Sequence, residues 1–395
     1  MRPIKQFQES FEARVAASRC RIAVWRIQMK RGPAFFFVLG CLLTAGAQNN
    51  ADFDDLSRRA EAALDTHPEE ATVLYRKALA IRPDWAEGWL YMGASLFQTR
   101  HYAEARDALR KGVALEPGKG TPLAFLGMAE YELGDYRQAL SDILTGESIG
   151  LADKPGFAAA VRYRGALIGL RFSDFVLALD QLRPLVKAGN KSPALIEALG
   201  LSALCMNTLP TTLPAAKRPL VELAGRATWA FVAEKPDEAE PLFKELETLF
   251  PDEPGVHYMC GAWLLNRDPA AAEAEFRKEL QIAPSNVSAH EQLALLLLNP
   301  NDAEGAVKEA AEAVRLAPKE AFAQVTLGRA LMDANRIPEA IATLQTAEKL
   351  APRAPKVHFY LAQAYRKAGK TAEAGKEKAE WYRLQAAQEE PASDR

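Results

Sequence analysis

Proline recurs along this chain with a nearly constant step. In the C-terminal half Pro251, Pro284, Pro318 and Pro352 are separated by 33, 34 and 34 residues, and in the N-terminal half Pro83 and Pro117 lie 34 apart. Glycine keeps the same beat, with Gly93 and Gly127 also 34 apart. Within one unit Trp89-x-x-Met92-Gly93 is followed by Ala105-x-x-x-Leu109 and then Pro117. Another unit reads Leu327-Gly328-x-x-Leu331, Ala340-x-x-x-Leu344, Pro352, and two more run from Ala239-x-x-x-Phe243 to Pro251 and from Ala272-x-x-x-Phe276 to Pro284. A period of this length with apolar residues at helical spacing predicts two amphipathic helices per unit. One such pair cannot bury its apolar face alone, so stacked neighbours must build a continuous core. The proline cannot continue a helix and sets the turn into the next unit. Gly93, Gly127 and Gly328, with Ala105, Ala139, Ala239, Ala306 and Ala340, are small where helices cross closely, while Leu109, Phe243, Phe276 and Leu344 fill the seam. The composition, 49% hydrophobic and dominated by Ala, Leu, Glu, Arg and Lys, is helix-forming.

This pattern resembles the tetratricopeptide repeat family, whose unit reads Trp-x-x-Leu-Gly-x-x-Tyr, then Ala-x-x-x-Phe, then Pro. The resemblance covers about residues 52–388 and implies an all-α fold: an α-solenoid, a right-handed superhelix of antiparallel helix pairs. The units divide the chain as follows. Residues 52–206 form an N-terminal array: units at 52–85, 86–119, 120–153 and 157–190, then an opening helix around Gly200. Residues 207–219, Asn207-Thr208-Leu209-Pro210-Thr211-Thr212-Leu213-Pro214 and onward to Pro219, break the beat and divide the array into two lobes. This segment reads as a tolerated surface insertion, because loops accept length cheaply. The alternative is a Pro-rich loop that reaches toward a partner. Residues 220–388 form the C-terminal array, closed by a Lys-, Glu- and Arg-rich helix from Thr371 to Gln388 that suits a polar cap. Residues 389–395 read as a disordered tail.

Charge is uneven. Of 49 Lys/Arg and 51 Asp/Glu, the first 47 residues hold eight basic and two acidic side chains, so the body is net acidic. An acidic body repels phosphate backbones, and nucleic acid is not expected as a partner. The basic start precedes an apolar run, Ala34–Leu43, and a small-x-small site, Ala45-Gly46-Ala47. Met29–Ala47 therefore reads as a secretory signal cut after Ala47, with residues 1–28 an upstream extension and the mature chain periplasmic or secreted. The apolar stretch is too short for a bilayer span of about 20 residues. Lipidation at Cys41, in Val38-Leu39-Gly40-Cys41, is the alternative and would bring membrane contact. Cys205 and Cys260 fall on apolar helical stretches and read as buried free thiols, with a disulfide left open.

The motifs that carry chemistry are missing. There is no His-Glu-x-x-His, Walker-type loop, Gly-x-Ser-x-Gly or Cys-x-x-Cys, and no stretch is left over for a catalytic domain, so neither catalysis nor a cofactor is expected. His257, His290 and His358 recur at the position of Trp89. Packed helices stand about 8–10 Å apart, so equivalent histidines of successive units cannot share one ion. Each is expected to pack flat between helices with one nitrogen hydrogen-bonded. Asn286-Val287-Ser288 matches a glycosylation acceptor but opens a helix, where Asn and Ser cap.

The resemblance places the concave face on the first helix of each unit, at its second, fifth, ninth and twelfth positions. In the clear N-terminal units these are Glu87, Leu90, Ala94, Phe97, Thr121, Ala124, Met128 and Tyr131. In the last two units they are Phe322, Val325, Arg329, Met332, Lys356, Phe359, Gln363 and Arg366. Leu90, Phe97, Met128, Tyr131, Phe322, Arg329, Phe359 and Arg366 are the candidate partner-binding residues, since aromatic, Met and Arg side chains are enriched at interfaces. The N-terminal groove is then apolar and aromatic, the C-terminal groove basic with aromatics, and a peptide in helical or extended form fits either. Leu90 and Ala94 stand where some family members carry the Lys and Asn that clamp an acidic chaperone tail, which argues against that role. The expected function is a non-catalytic scaffold holding a protein or peptide after export. A lipidated outer-membrane component of a secretion, pilus or polysaccharide system is the alternative.

Overall fold

The computed structural model describes residues 50–152, 156–298 and 302–389. Met29–Ala47, expected as a secretory signal, Cys41 and the residues beyond 389 lie outside them. Among the described residues the chain is helical, without strands: nine helix hairpins and one unpaired opening helix. No described helix is long and apolar enough to cross a membrane. The first four hairpins are α1 (50–63) and α2 (Pro68–Ile81), α3 (Ala86–Gln98) and α4 (Tyr102–Leu115), α5 (Gly120–Glu132) and α6 (Tyr136–Ile149), α7 (Phe157–Arg171) and α8 (Phe175–Lys187). Then comes α9 (Pro193–Ala203), alone. Five further hairpins follow: α10 (Arg218–Val232) and α11 (Pro236–Leu249), α12 (Val256–Leu264) and α13 (Pro269–Ile282), α14 (Val287–Leu298) and α15 (Ala303–Leu316), α16 (Ala321–Asp333) and α17 (Ile337–Leu350), α18 (Pro355–Lys367) and α19 (Thr371–Glu389). This is the α-solenoid of antiparallel pairs that the periodicity implies.

Six of the nine described hairpins close the same way. Arg100, Gly134, Ser173, Glu234, Asn335 and Gly369 all adopt positive φ two residues past the end of a first helix. The next residue's N–H then reaches back to a carbonyl in the last helical turn: His101 to Leu96, Asp135 to Glu130, Asp174 to Gly169, Lys235 to Ala230, Arg336 to Leu331, Lys370 to Tyr365. This left-handed terminator satisfies carbonyls that the helix end would orphan. Second helices start on capping residues where the sequence supplies them. Asp174, Asp268 and Asp302 accept from Leu177, Ala271 and Gly305 N–H at 2.9–3.0 Å.

Where the two helices of a hairpin cross, a side chain has no room. A Cβ on Gly93 would stand 2.6 Å from Leu109 Cγ, on Gly261 2.7 Å from Phe276 Cε1, and on Gly328 2.5 Å from Leu344 Cγ. The small residues opposite, Ala105, Ala139, Ala239, Ala306 and Ala340, are fully buried, as are Leu109, Phe276 and Leu344.

The break near residue 207 has a definite structure. The end of α9 carries the same terminator as those six first helices, with Cys205 at φ 53° and Met206 N–H bonded to Leu201 carbonyl. No second helix follows. Two short 3-10 turns, Pro210–Thr212 and Ala215–Lys217, occupy its place, and Leu213 is buried in the core. The next first helix, α10, closes directly onto α9. A Cβ on Gly200 would overlap the carbonyl of Val221, and one on Gly225 the carbonyl of Ile196. So α10 acts as the partner of α9 and as the opening helix of its own hairpin with α11. One buried cluster runs from Ala166 through Leu213 to Trp263. The expected division into two lobes is therefore replaced by a single core across the break, because a shared helix leaves no seam. Cys205 and Cys260 are free thiols.

Gly225→Ala should force α9 from α10 and cost about 3 kcal/mol. Gly375→Ala, on the exposed helix α19 with open space around the new methyl, should gain about 0.5–1 kcal/mol. Thermal unfolding of both variants checks the contrast.

Candidate functional site

The sequence expectation rests on the first helices of the second and third hairpins, α3 and α5. The structure adds a third, α7. Phe97 at the end of α3 meets Phe125 of α5 edge-on, with ring centroids 5.6 Å apart, and Phe125 stacks on Phe157 at the start of α7 at 5.1 Å. Phe97 and Tyr131 also contact the first ring of the following helix, Tyr102 at 5.3 Å and Tyr136 at 5.5 Å. Between them lies Arg164 of α7, its guanidinium 5.5 Å from the Phe97 ring and 5.9 Å from the Tyr131 ring. Glu132 holds that guanidinium by bonds from Nη2 at 2.7 Å and Nε at 3.1 Å. Phe97, Phe125, Tyr131, Phe157 and Arg164 are all half-buried. The result is a cationic aromatic surface made by three consecutive units and oriented by one fixed Arg. Burial raises the Tyr131 hydroxyl above the usual tyrosine range, so it remains a neutral hydrogen-bond donor.

Not all expected residues reach the surface. Met128 is 4% exposed and belongs to the core with Ala124 and Ile143. Enclosed by that core, it presents no surface to a partner. Ala94, Ala124, Val325 and Met332 are buried as well, whereas Arg329 stays partly exposed. Leu90 is half-buried and lines a separate hollow with Glu87, Glu116 and Lys119.

The C-terminal residues form a second patch. Phe322 is 40% exposed on α16, with Arg329 two turns along the same helix face. On α18, Phe359 and Arg366 repeat that spacing. Neither arginine makes an ion pair with the described residues. Phe359 is partly covered by Trp381 of α19, centroids 5.1 Å apart, so the charged last helix also carries an apolar edge.

The unpaired α9 creates a third feature, a cavity of ≈ 730 Å³ between α9, α10 and α11. Trp229 lies beneath it, bonded through Nε1 to the Asn190 carbonyl at 2.8 Å and covered by Lys191 Nζ at 4.0 Å from the ring. Its rim mixes signs, with Arg218 paired to Glu197 at 2.8 Å beside Glu222 and Arg226.

Sequence reasoning missed Phe125, Phe157 and Arg164. Phe157 and Arg164 fall in the unit 157–190, which has no closing proline to set its phase, and Phe125 stands at the sixth position of its unit, between the fifth and ninth that the repeat points inward. The available signal was the run Arg162-Tyr163-Arg164, two charges in the middle of a helix beside the crossing glycine Gly165.

The histidines also differ from expectation, using both ring nitrogens rather than one. Nε2 of His257, His290 and His358 meets the carbonyl of Pro251, Pro284 and Pro352 at 2.8, 3.0 and 2.9 Å. Nδ1 of each meets a carboxylate of the second helix: Glu275, Glu309 and Glu377. Trp89 Nε1 reaches Pro83 carbonyl at 2.8 Å and Gln324 Nε2 reaches Pro318 carbonyl at 3.2 Å. This repeat position is thus a latch on the junction proline.

These stacked hairpins define the class of protein, an α-solenoid of repeated helix pairs. Two parts of the array match models described as tetratricopeptide repeat, residues 86–119 and 325–389, which supports a protein of the tetratricopeptide repeat superfamily. Such arrays are generally non-catalytic protein-interaction scaffolds, and no enzymatic family is indicated. No curated protein matches the chain. Solved structures similar to it include "MamA 41-end from Desulfovibrio magneticus RS-1", 23% identical, covering 42% of this chain and 96% of that one with a TM-score of 0.40. "MamA RS-1 ArsTM double mutant" is 23% identical, covering 42% and 94%, with a TM-score of 0.39. "Crystal structure of MamA" is 16% identical, covering 41% and 95%, at 0.38.

One inner-face group titrates unusually. Burial, helped by the negative charge of Glu320, pushes the Glu291 carboxyl on α14 up to about 8, and its Oε1 has no hydrogen-bond partner. In the unfolded chain this acid ionises near the ordinary 4.5. Between those values the folded chain keeps a proton that the unfolded chain has released, so stability falls as pH rises from about 4.5 to about 8. Glu291→Gln cannot titrate. It should match the parent at pH 4 and exceed it by roughly 2 kcal/mol at pH 8.5. A difference in unfolding midpoint that does not change with pH would refute the assignment.

Proposed function

We propose that this chain is an exported scaffold that binds a protein or peptide segment across the surface of Phe97, Tyr131 and Arg164. The observation that carries the reading is the placement of Arg164: it joins half-exposed rings from two other units into one surface and is itself held by Glu132. Rigid rings presented with little rotamer freedom, beside a fixed guanidinium, are the features of binding hot spots. Phe322, Arg329, Phe359 and Arg366 extend the reading to a second, basic stretch for acidic residues of the same partner. Export rests on the Met29–Ala47 pattern, and lipidation at Cys41 remains the alternative to a soluble periplasmic or secreted form.

The test is affinity capture from native envelope extract with the mature chain and with a Phe97→Ala, Tyr131→Ala, Arg366→Ala variant, each shown to fold by circular dichroism. Loss of each central anchor typically costs about 2 kcal/mol, so capture of the specific partner should fall by at least tenfold in the variant. Equal capture by both chains removes the groove assignment. Mass spectrometry of the N-terminus separates the two export forms: Gln48 as first residue marks the soluble chain, a diacylated Cys41 the lipoprotein.

A further inference from the structure

Three histidines latch three junctions, but their surroundings differ. At His290 the residue ten positions earlier is Leu280, and Glu309 is the one carboxylate on the ring. At His257 the carboxylate Glu275 is already neutralised by Lys278, Nζ to Oε1 at 2.7 Å. At His358 two carboxylates converge instead. Glu348 comes from α17 and Glu377 from α19, and neither has a Lys or Arg partner among the described residues. The ligand atoms of Glu348, His358 and Glu377 all lie within 4.8 Å of one another. His358 is 4% exposed, and its Nε2 is fixed on the Pro352 carbonyl at 2.9 Å. That bond requires Nε2 to donate, and it aims Nδ1 at the two carboxylates.

We propose that Glu348, His358 and Glu377 form a binding site for a divalent cation of the zinc class. One imidazole nitrogen and two carboxylates from three successive helices make a mixed N/O set suited to such ions, with a fourth position left for water. A metal-bound histidine donates its second ring N–H to a backbone carbonyl or carboxylate, which is the role of Pro352 here. Ligand atoms at 2.0–2.2 Å around a tetrahedral ion stand about 3.3 Å apart. Nδ1 and Glu377 Oε2 are 2.7 Å apart now, and the whole set lies within 4.8 Å, so modest side-chain rotations of the two glutamates accommodate the ion. Binding replaces the proton between Nδ1 and Glu377 by the ion and releases it to solvent. The ion would tie α19, the last helix of the stack, to the two helices before it. The site differs from the one dismissed on sequence: it uses one histidine and the carboxylates of its neighbouring helices, not histidines of successive units.

The experiment is a titration of the chelator-stripped full chain with Zn²⁺, read by calorimetry and by competition with a chromophoric chelator. One equivalent should bind with an affinity at or tighter than micromolar, and binding should raise the thermal unfolding midpoint. Glu348→Gln leaves both His358 hydrogen bonds in place and sits at a half-exposed position, so the fold is kept while affinity should drop at least tenfold. His290→Gln, in a sister latch with one carboxylate, should bind Zn²⁺ as the parent does. Absence of saturable binding overturns the proposal. So does binding that survives Glu348→Gln, or that is lost equally in His290→Gln, since either result places the ion elsewhere.

Discussion

The structure depends on the approach of two helices where neither carries a side chain large enough to separate them. At Gly93, Gly261 and Gly328 the facing residue of the second helix fills the space a Cβ would need. This close crossing sets the geometry of each hairpin, and the buried alanines on the second helix hold it. With the crossing fixed, the large residues Leu109, Phe276 and Leu344 can fill the seam without strain. The same rule explains the irregular centre. Glycine at 200 and at 225 lets α10 close on α9 from both sides, so loss of a second helix does not leave an exposed apolar face. In an array stabilised by nearest-neighbour contacts, a missing element would otherwise be a weak point.

A second constraint acts at the junctions. Five turns from one hairpin to the next contain a proline whose carbonyl accepts from the following first helix: Pro83, Pro251, Pro284, Pro318 and Pro352. Trp89, His257, His290, Gln324 and His358 supply the donor by quite different chemistry. What these residues share is a planar group with an N–H at its tip, reaching a carbonyl six residues upstream. Histidine brings a second nitrogen, which must also be satisfied when buried, and the glutamate of the second helix does so. Glu279 plays an allied part. Fully buried, it accepts from the N–H groups of Gly255 and Tyr258 at the start of α12 and from Asn286 Nδ2, placing negative charge where a helix start favours it. Asn286 in turn caps α14 through Ala289 N–H at 3.1 Å, which is the capping role its sequence suggests.

The architecture was legible because the period belongs to the helix pair itself: proline, glycine and alanine stand where backbone geometry leaves no alternative. The surface was less so. Inward-facing positions can be counted, but whether they remain open depends on the spacing between successive first helices, a tertiary quantity. Met128 and Met332 were counted as groove residues and are core. Phe157 and Arg164 escape the count because their unit has no closing proline to set its phase, and Phe125 because it stands at the sixth position of its unit. The break at 207–219 announced itself through its prolines, but nothing in the local sequence said that α10 would take the place of the absent helix. That information is divided between Gly200 and Gly225, twenty-five residues apart, and becomes meaningful only when both face one crossing.

Sharing α10 has a consequence for how the array responds to load. A helix that belongs to one hairpin can loosen with that hairpin, at the cost of one interface on each side. A helix that belongs to two cannot, because moving it exposes Leu220, Val221, Ala224, Ala227, Trp229 and Ala230, all buried in one cluster with residues of α9 and α11. At about 25 cal/mol per Å² of apolar surface, exposing several such side chains at once exceeds the cost of opening a terminal hairpin. The centre of the array is therefore its stiffest part, and its ends are where local opening concentrates. The aromatic surface around Arg164 adjoins this stiff centre, whereas Phe359 and Arg366 lie in the last described hairpin, which packs on the α16–α17 pair on one side only. A partner spanning both patches would meet a preorganised site at one end and a more adaptable one at the other, so the conformational freedom lost on binding would be lost mainly in the C-terminal units.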